Sequence, residues 1–213
     1  MMKTIVVAGA TSAAAKTSLV VALLSALPTR AWGAMKITVT HDVAQGCPRG
    51  GHGCGVCASV GGGYRFVTDP EILKQPGTDT GRMTQAGADP VLWLITTPPF
   101  VHIGWRDVQR QVTSVDGLVI ESNSLALCIK PDLTLFTINP RVPRSRWKAS
   151  APRLIEQSDL VIISLRDVKP QAAQPLIDEI HARRAGLGVV VTESVEQVIA
   201  RPELSRRLAA LFS

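Results

Sequence analysis

Aromatic side chains make up only 4% of the 213 residues, which excludes a core built on stacked rings. Hydrophobic residues still reach 46%, so the core must come from Val, Ile, Leu and Ala. That composition suits a parallel sheet covered by helices. Cysteine is also scarce, and three of the four cysteines fall in one short stretch. Clustering of this kind resembles ligands rather than disulfide staples and points to a reducing, cytoplasmic location. A long apolar run is missing as well. Ser18 to Leu27 is too short to span a bilayer, so no membrane association is expected. The order Lys3, apolar run, Ala31-Trp-Gly-Ala34 has some features of a secretory leader, but Lys16 interrupts it. The net charge is +6, yet the basic residues are scattered, and a nucleic-acid partner is not expected. Arg141, Arg144, Arg146, Lys148 and Arg153 form the one dense basic group, read as a solvated loop or as a site for a nucleotide's phosphates or an acidic partner.

Strand-like and helix-like segments alternate along the chain. Strands are expected at Thr4–Ala8, Lys36–Thr40, Val91–Thr96, Leu118–Glu121, Leu133–Ile138, Leu160–Ser164 and Gly188–Thr192. Helices are expected at Ser18–Leu27, Thr80–Gly87, Trp105–Val112, Pro152–Gln157, Gln171–Ala185 and Pro202–Phe212. No internal repeat or linker divides the chain. The expected fold is a single α/β domain over residues 1–213, a doubly wound, mainly parallel β-sheet with helices on both faces in a Rossmann-like three-layer arrangement. Residues 44–63 are rich in Gly and Cys and form a loop-like insert.

The segment Ala10-Thr-Ser-Ala-Ala-Ala-Lys16-Thr17 has the spacing of a phosphate-binding loop, G-x-x-x-x-G-K-[ST], with alanines in place of its glycines. Such a loop turns backbone N–H groups of Ser12, Ala13, Ala14, Ala15, Lys16, Thr17 and Ser18 toward phosphates above a helix N-terminus. Lys16 would reach the outer phosphate oxygens, and Thr17 would place its hydroxyl on Mg²⁺. Alanine tolerates positive φ poorly, so Ala10 and Ala15 mark possible strain.

Two other strand ends carry carboxylates where α/β sheets bind ligands. Asp42 follows the second strand and would hold Mg²⁺ through water or orient an attacking water. Glu121 ends the fourth and would serve the metal or act as a base. Ser164-Leu-Arg-Asp167 stands where guanine-binding proteins carry Asn-Lys-x-Asp. Its aspartate matches that motif's guanine ligand, although the Asn and Lys are replaced. A turn or cap role for Asp167 is the alternative.

The run Cys47-Pro-Arg-Gly-Gly-His52-Gly-Cys54-Gly-Val-Cys57 contains a C-x-x-C pair able to place two thiolates on one metal ion. Cys128 follows the Glu121 strand end and is expected near the same edge. Four thiolates, Cys47, Cys54, Cys57 and Cys128, suit tetrahedral zinc or a [4Fe–4S] cluster. A redox pair and free thiols are the other readings.

With these motifs in hand, the chain resembles the P-loop GTPases of metallocentre assembly. These are the urease and hydrogenase nickel-insertion GTPases and the GTP-binding molybdopterin-guanine-dinucleotide biosynthesis protein B family. Thr40-His41-Asp42-Val43 and Val119-Ile-Glu-Ser122 are similar to segments of the urease group. Pro76-Gly-Thr-Asp79 and Gln85-Ala-Gly-Ala88 are similar to segments of the molybdenum-cofactor family. The hydrogenase group also carries a cysteine near the position of Cys128. The resemblance implies a P-loop NTPase fold, GTP (or another nucleotide) with Mg²⁺, slow hydrolysis, a homodimer, and a client metalloenzyme or cofactor-assembly protein. Two alternatives stand beside it. One is a non-hydrolysing zinc or Fe–S dimerisation module with a degenerate phosphate loop. The other is a molybdopterin-nucleotide adaptor.

Overall fold

Short runs of β-branched and aliphatic residues bounded by Gly, Pro and polar residues set the strands of the sheet. The computed structural model describes residues 2–27, 31–40, 60, 63–166 and 168–212. Its strands are β1 (Lys3–Gly9), β2 (Trp32–Val39), β3 (Tyr64–Val67), β4 (Val91–Thr96), β5 (Gly117–Glu121), β6 (Leu133–Ile138), β7 (Leu160–Ser164) and β8 (Gly188–Thr192). They form one sheet in the order β3-β4-β2-β5-β1-β6-β7-β8. All neighbouring pairs are parallel except β3 and β4. The chain winds outward from β1 in both directions, which leaves a crevice above the ends of the central strands.

The helices are α1 (Lys16–Ala26), α2 (Pro70–Leu73), α3 (Asp79–Gln85), α4 (Val101–Gln111), α5 (Asn123–Cys128), α6 (Ala151–Gln157), α7 (Gln174–Arg183) and α8 (Pro202–Ala210). They cover both faces of the sheet. Alternation along β1 shows why two cores exist: Ile5 and Val7 enter one, Val6 and Ala8 the other. The first core joins β1 to Leu19, Val20 and Leu23 of α1 and Leu204 of α8. The second joins it to Trp105 of α4, Leu125 of α5, Leu154 of α6 and Leu176 of α7. Phe136 and Ile120 in the second core and Leu135 in the first are fully buried, each worth about 1.5–3 kcal/mol of apolar transfer.

Several elements depart from the sequence expectation, among them the single-turn helix α2. Tyr64–Val67 becomes an antiparallel edge strand, too short to announce itself after a Gly-rich stretch. Asn123–Cys128 becomes a helix capped by Ser122, whose hydroxyl accepts from Leu125 N–H at 3.0 Å. The segment expected as one helix from Gln171 begins as a 3₁₀ turn, Pro170–Ala173, and turns α-helical at Gln174, with Pro175 in the first turn. Of the Gly/Cys-rich insert, only Val60 and Gly63 lie among the described residues. No helix among the described residues is long and apolar enough to cross a membrane.

Candidate nucleotide and cation site

The phosphate-loop segment joins the end of β1 to the start of α1, at the centre of the sheet. Gly9 closes the strand and admits no side chain: a Cβ there would sit 2.6 Å from Thr137 Oγ1 and 3.0 Å from Lys16 Cγ. Of the two alanines at glycine positions, Ala15 alone is left-handed, at φ 58 and ψ 26. That conformation costs an alanine about 1–2 kcal/mol. Ala10 has no positive φ, so the first expected site of strain is unstrained. No side chain caps α1, which leaves its first-turn N–H groups facing the loop. Lys16 is buried, and its ammonium donates to Thr11 O at 2.8 Å and Ser12 O at 3.4 Å. Thr11 Oγ1 is buried without a hydrogen-bond partner, an unsatisfied polar atom inside the loop itself.

Thr17 leads to a charged cluster at this edge. Its hydroxyl lies 2.6 Å from Glu121 Oε2 and 3.0 Å from Asp79 Oδ1. Lys36 of β2 forms an ion pair with Asp79, and its ammonium lies 3.7 Å from Glu121 Oε1. Strand register explains the meeting. Val7, Glu121 and Lys36 form one row across β1, β5 and β2. Side-chain parity turns Glu121 and Lys36 to the face holding α1 and α3, as it does Val119 and Ala34. Asp79 arrives through helix chemistry: Gly77 takes φ +77, Thr78 caps α3 by accepting from Gly81 N–H at 3.0 Å, and Asp79 opens the helix. Arg82, one turn on, donates to Ser18 Oγ at 3.0 Å and ties α3 to α1.

The opposite face holds the loop with neutral groups. Past the end of β5, the buried Asn123 side chain continues the ladder beside β1. Its Oδ1 accepts from Gly9 N–H at 3.1 Å, and its Nδ2 donates to Gly9 O at 2.9 Å. Lys148 N–H donates to Ala10 O at 2.9 Å, which sets residues 139–150 against the phosphate loop. Within this basic segment Arg144 pairs with Glu179 and stacks 4.3 Å above the Trp147 ring.

The expected residues thus divide. Ser12 to Ser18 and Glu121 share one edge, and Thr17 touches Glu121 directly. Cys128 is exposed at the end of α5, and desolvation raises its thiol pKa above the usual value. Among the described residues no group of three or more His, Cys, Asp or Glu is placed to hold a metal ion. Asp42, Cys47, Cys54, Cys57 and Asp167 lie outside the described residues. Within the same tetrad, Ser164 Oγ is buried without a partner, and Arg166 takes φ 40. Sequence reasoning missed Asp79, Lys36 and Asn123. The signal for Asp79 was its place at the first turn after a Gly-Thr cap. Lys36 and Asn123 gave none, because their roles depend on which strand lies beside which.

The donor set fits a hard divalent cation, since a hydroxyl and two carboxylates offer only oxygen. A positive group, the Lys36 ammonium, already sits against these carboxylates. The loop fits a nucleotide's phosphates through its helix N-terminus, its lysine and the unpaired Thr11 hydroxyl.

No protein-family profile matches the sequence, and no curated protein matches it. Solved structures do match in fold. HypB from Helicobacter pylori, crystallised in complex with nickel, aligns with a TM-score of 0.54 and 10% identity, over 98% of this chain and 88% of that one. The hydrogenase maturation factor HypB from Archaeoglobus fulgidus aligns with a TM-score of 0.54 and 10% identity, over 99% and 89%. The expected three-layer P-loop NTPase fold is the one observed.

Proposed function

We propose that this chain is a nucleotide-binding P-loop protein, a slow GTPase-type switch serving metallocentre or metal-cofactor assembly. The observation that carries the reading is the Thr17 hydroxyl at the N-terminal turn of α1, within hydrogen-bond reach of both Glu121 and Asp79. A fold shared with HypB supports the same reading. Lys16 and the N–H groups of residues 12–18 would hold the phosphates. Thr17, Glu121 and Asp79 would hold Mg²⁺, directly or through water. Bound there, Mg²⁺ would supply a Lewis acid that offsets the charge of the phosphates. Asp42 is proposed to orient water or support the metal, and Asp167 to read the base. Cys47, Cys54, Cys57 and Cys128 are proposed to hold zinc or a [4Fe–4S] cluster whose capture follows the nucleotide state, in a cytoplasmic homodimer that meets a client metalloenzyme or cofactor-assembly protein.

Calorimetric titration of the full chain with GTP and Mg²⁺ tests this. Lys16→Ala is expected to weaken nucleotide affinity about 10- to 100-fold, the worth of a charged hydrogen bond. Wild-type protein that holds its metal yet binds neither GTP nor ATP at millimolar concentration would overturn the proposal.

A further inference from the structure

The cation cluster contains one group that the proposed function leaves unexplained. Lys36 sits in the interior of β2, in a row with Val7 and Glu121, and not on a loop. Its side chain is only 22% exposed and is aimed at two carboxylates. Thr17 has a single hydroxyl hydrogen, so it can donate fully to Glu121 or to Asp79 but not to both. Two ionised carboxylates sharing one hydroxyl repel each other and call for a positive charge. Lys36 supplies it with a compact ammonium carrying three donors. A lysine head and a divalent ion would therefore seek the same oxygens.

The geometry points to Lys36 as a tethered counter-cation that competes with a divalent metal ion for the Thr17–Asp79–Glu121 cluster. This inference rests on the cation site proposed above and adds its regulation. With Lys36 seated, the cluster carries about one net negative charge; with Lys36 withdrawn it carries about two. Metal entry requires the ammonium to swing away, and metal loss lets it return. The protein then keeps an ordered phosphate loop in the metal-free state, and its divalent affinity is held low until a nucleotide brings further oxygen ligands. Because Asp79 opens α3 and Arg82 ties that helix to Ser18 of α1, the exchange moves a charge at the contact between the two helices.

The test is Mn²⁺ titration of the nucleotide-free full chain, read by the electron paramagnetic resonance signal of free Mn²⁺. Lys36→Met is expected to tighten Mn²⁺ binding at least about tenfold, as removal of one positive charge at contact distance should. Lys36→Arg is expected to stay near wild type. In the Lys36→Met/Glu121→Gln double variant the gain should disappear. Unchanged Mn²⁺ affinity in Lys36→Met, or a gain that survives Glu121→Gln, would overturn the inference. A readout on the wild type guards against a variant that fails to fold. Acylation of Lys36, followed by mass spectrometry against Lys3 and Lys74 as references, should rise when Mn²⁺ is added. No change at Lys36 under saturating Mn²⁺ would equally overturn the inference. Failure to bind GTP in every form would sink the nucleotide reading instead, and would leave the Mn²⁺ result to stand or fall separately.

Discussion

The two faces beside the phosphate loop hold it by different physics. On the α1 and α3 face, Thr17, Lys36, Asp79 and Glu121 form a charged, partly exposed cluster. On the α5 face, Asn123 grips the Gly9 peptide with two neutral hydrogen bonds, fully inside the protein. Charges can be exchanged for other charges, and their strength depends on screening. A buried amide pair has no substitute partner, because removing it strands a backbone donor and an acceptor. One face is therefore built to change with its ionic contents, and the other to keep the loop in place while that happens.

The sharpest way to break this comparison is Asn123→Leu. It leaves Gly9 N–H and C=O without their partners and should cost about 3 kcal/mol, at 1–3 kcal/mol per stranded group. Urea unfolding would measure it, and the loss should be the same at low and high salt. Recovery of stability in high salt would show that the neutral face is not neutral in effect. Glu121→Gln attacks the charged face and should cost less, about 1 kcal/mol, because Asp79 remains to hold Lys36. Its cost should shrink as salt rises; a salt-independent loss would mean packing and not charge is at stake there. The smallest effect belongs to the loop between the faces. Ala15→Gly relieves the left-handed alanine but loosens the unfolded chain, for a net gain below about 1 kcal/mol. A loss of stability in that variant would show that Ala15's contact with the α1 core outweighs its strain.

Much of the fold was legible in the sequence because it rests on local pattern. The strands β4, β6, β7 and β8 fall where alternating or continuous aliphatic runs end in turn residues. The helix after the phosphate loop needed only Lys16, Thr17 and the apolar residues that follow. Two features of the segment 64–73 escaped. Tyr64–Val67 pairs antiparallel with β4, and only its partner makes it a strand. Pro70–Leu73 is a single turn capped by Asp69. Within the site, Thr17 and Glu121 were visible as motif and strand end, whereas Asp79 was visible only as part of a resemblance.

The sequence by itself determined which residue types stand at each strand end, the spacing of the phosphate loop and the cap that starts α3. These depend on contacts between near neighbours in the chain, where φ/ψ preference and capping suffice. Only the tertiary structure decided that Lys36 faces Glu121, that Asp79 reaches Thr17 and that Asn123 continues the ladder beside β1. Each joins positions far apart in sequence, and each follows from strand order and register. A shift of one residue would turn Lys36 to the other face and dissolve the cluster, because side chains alternate along a strand.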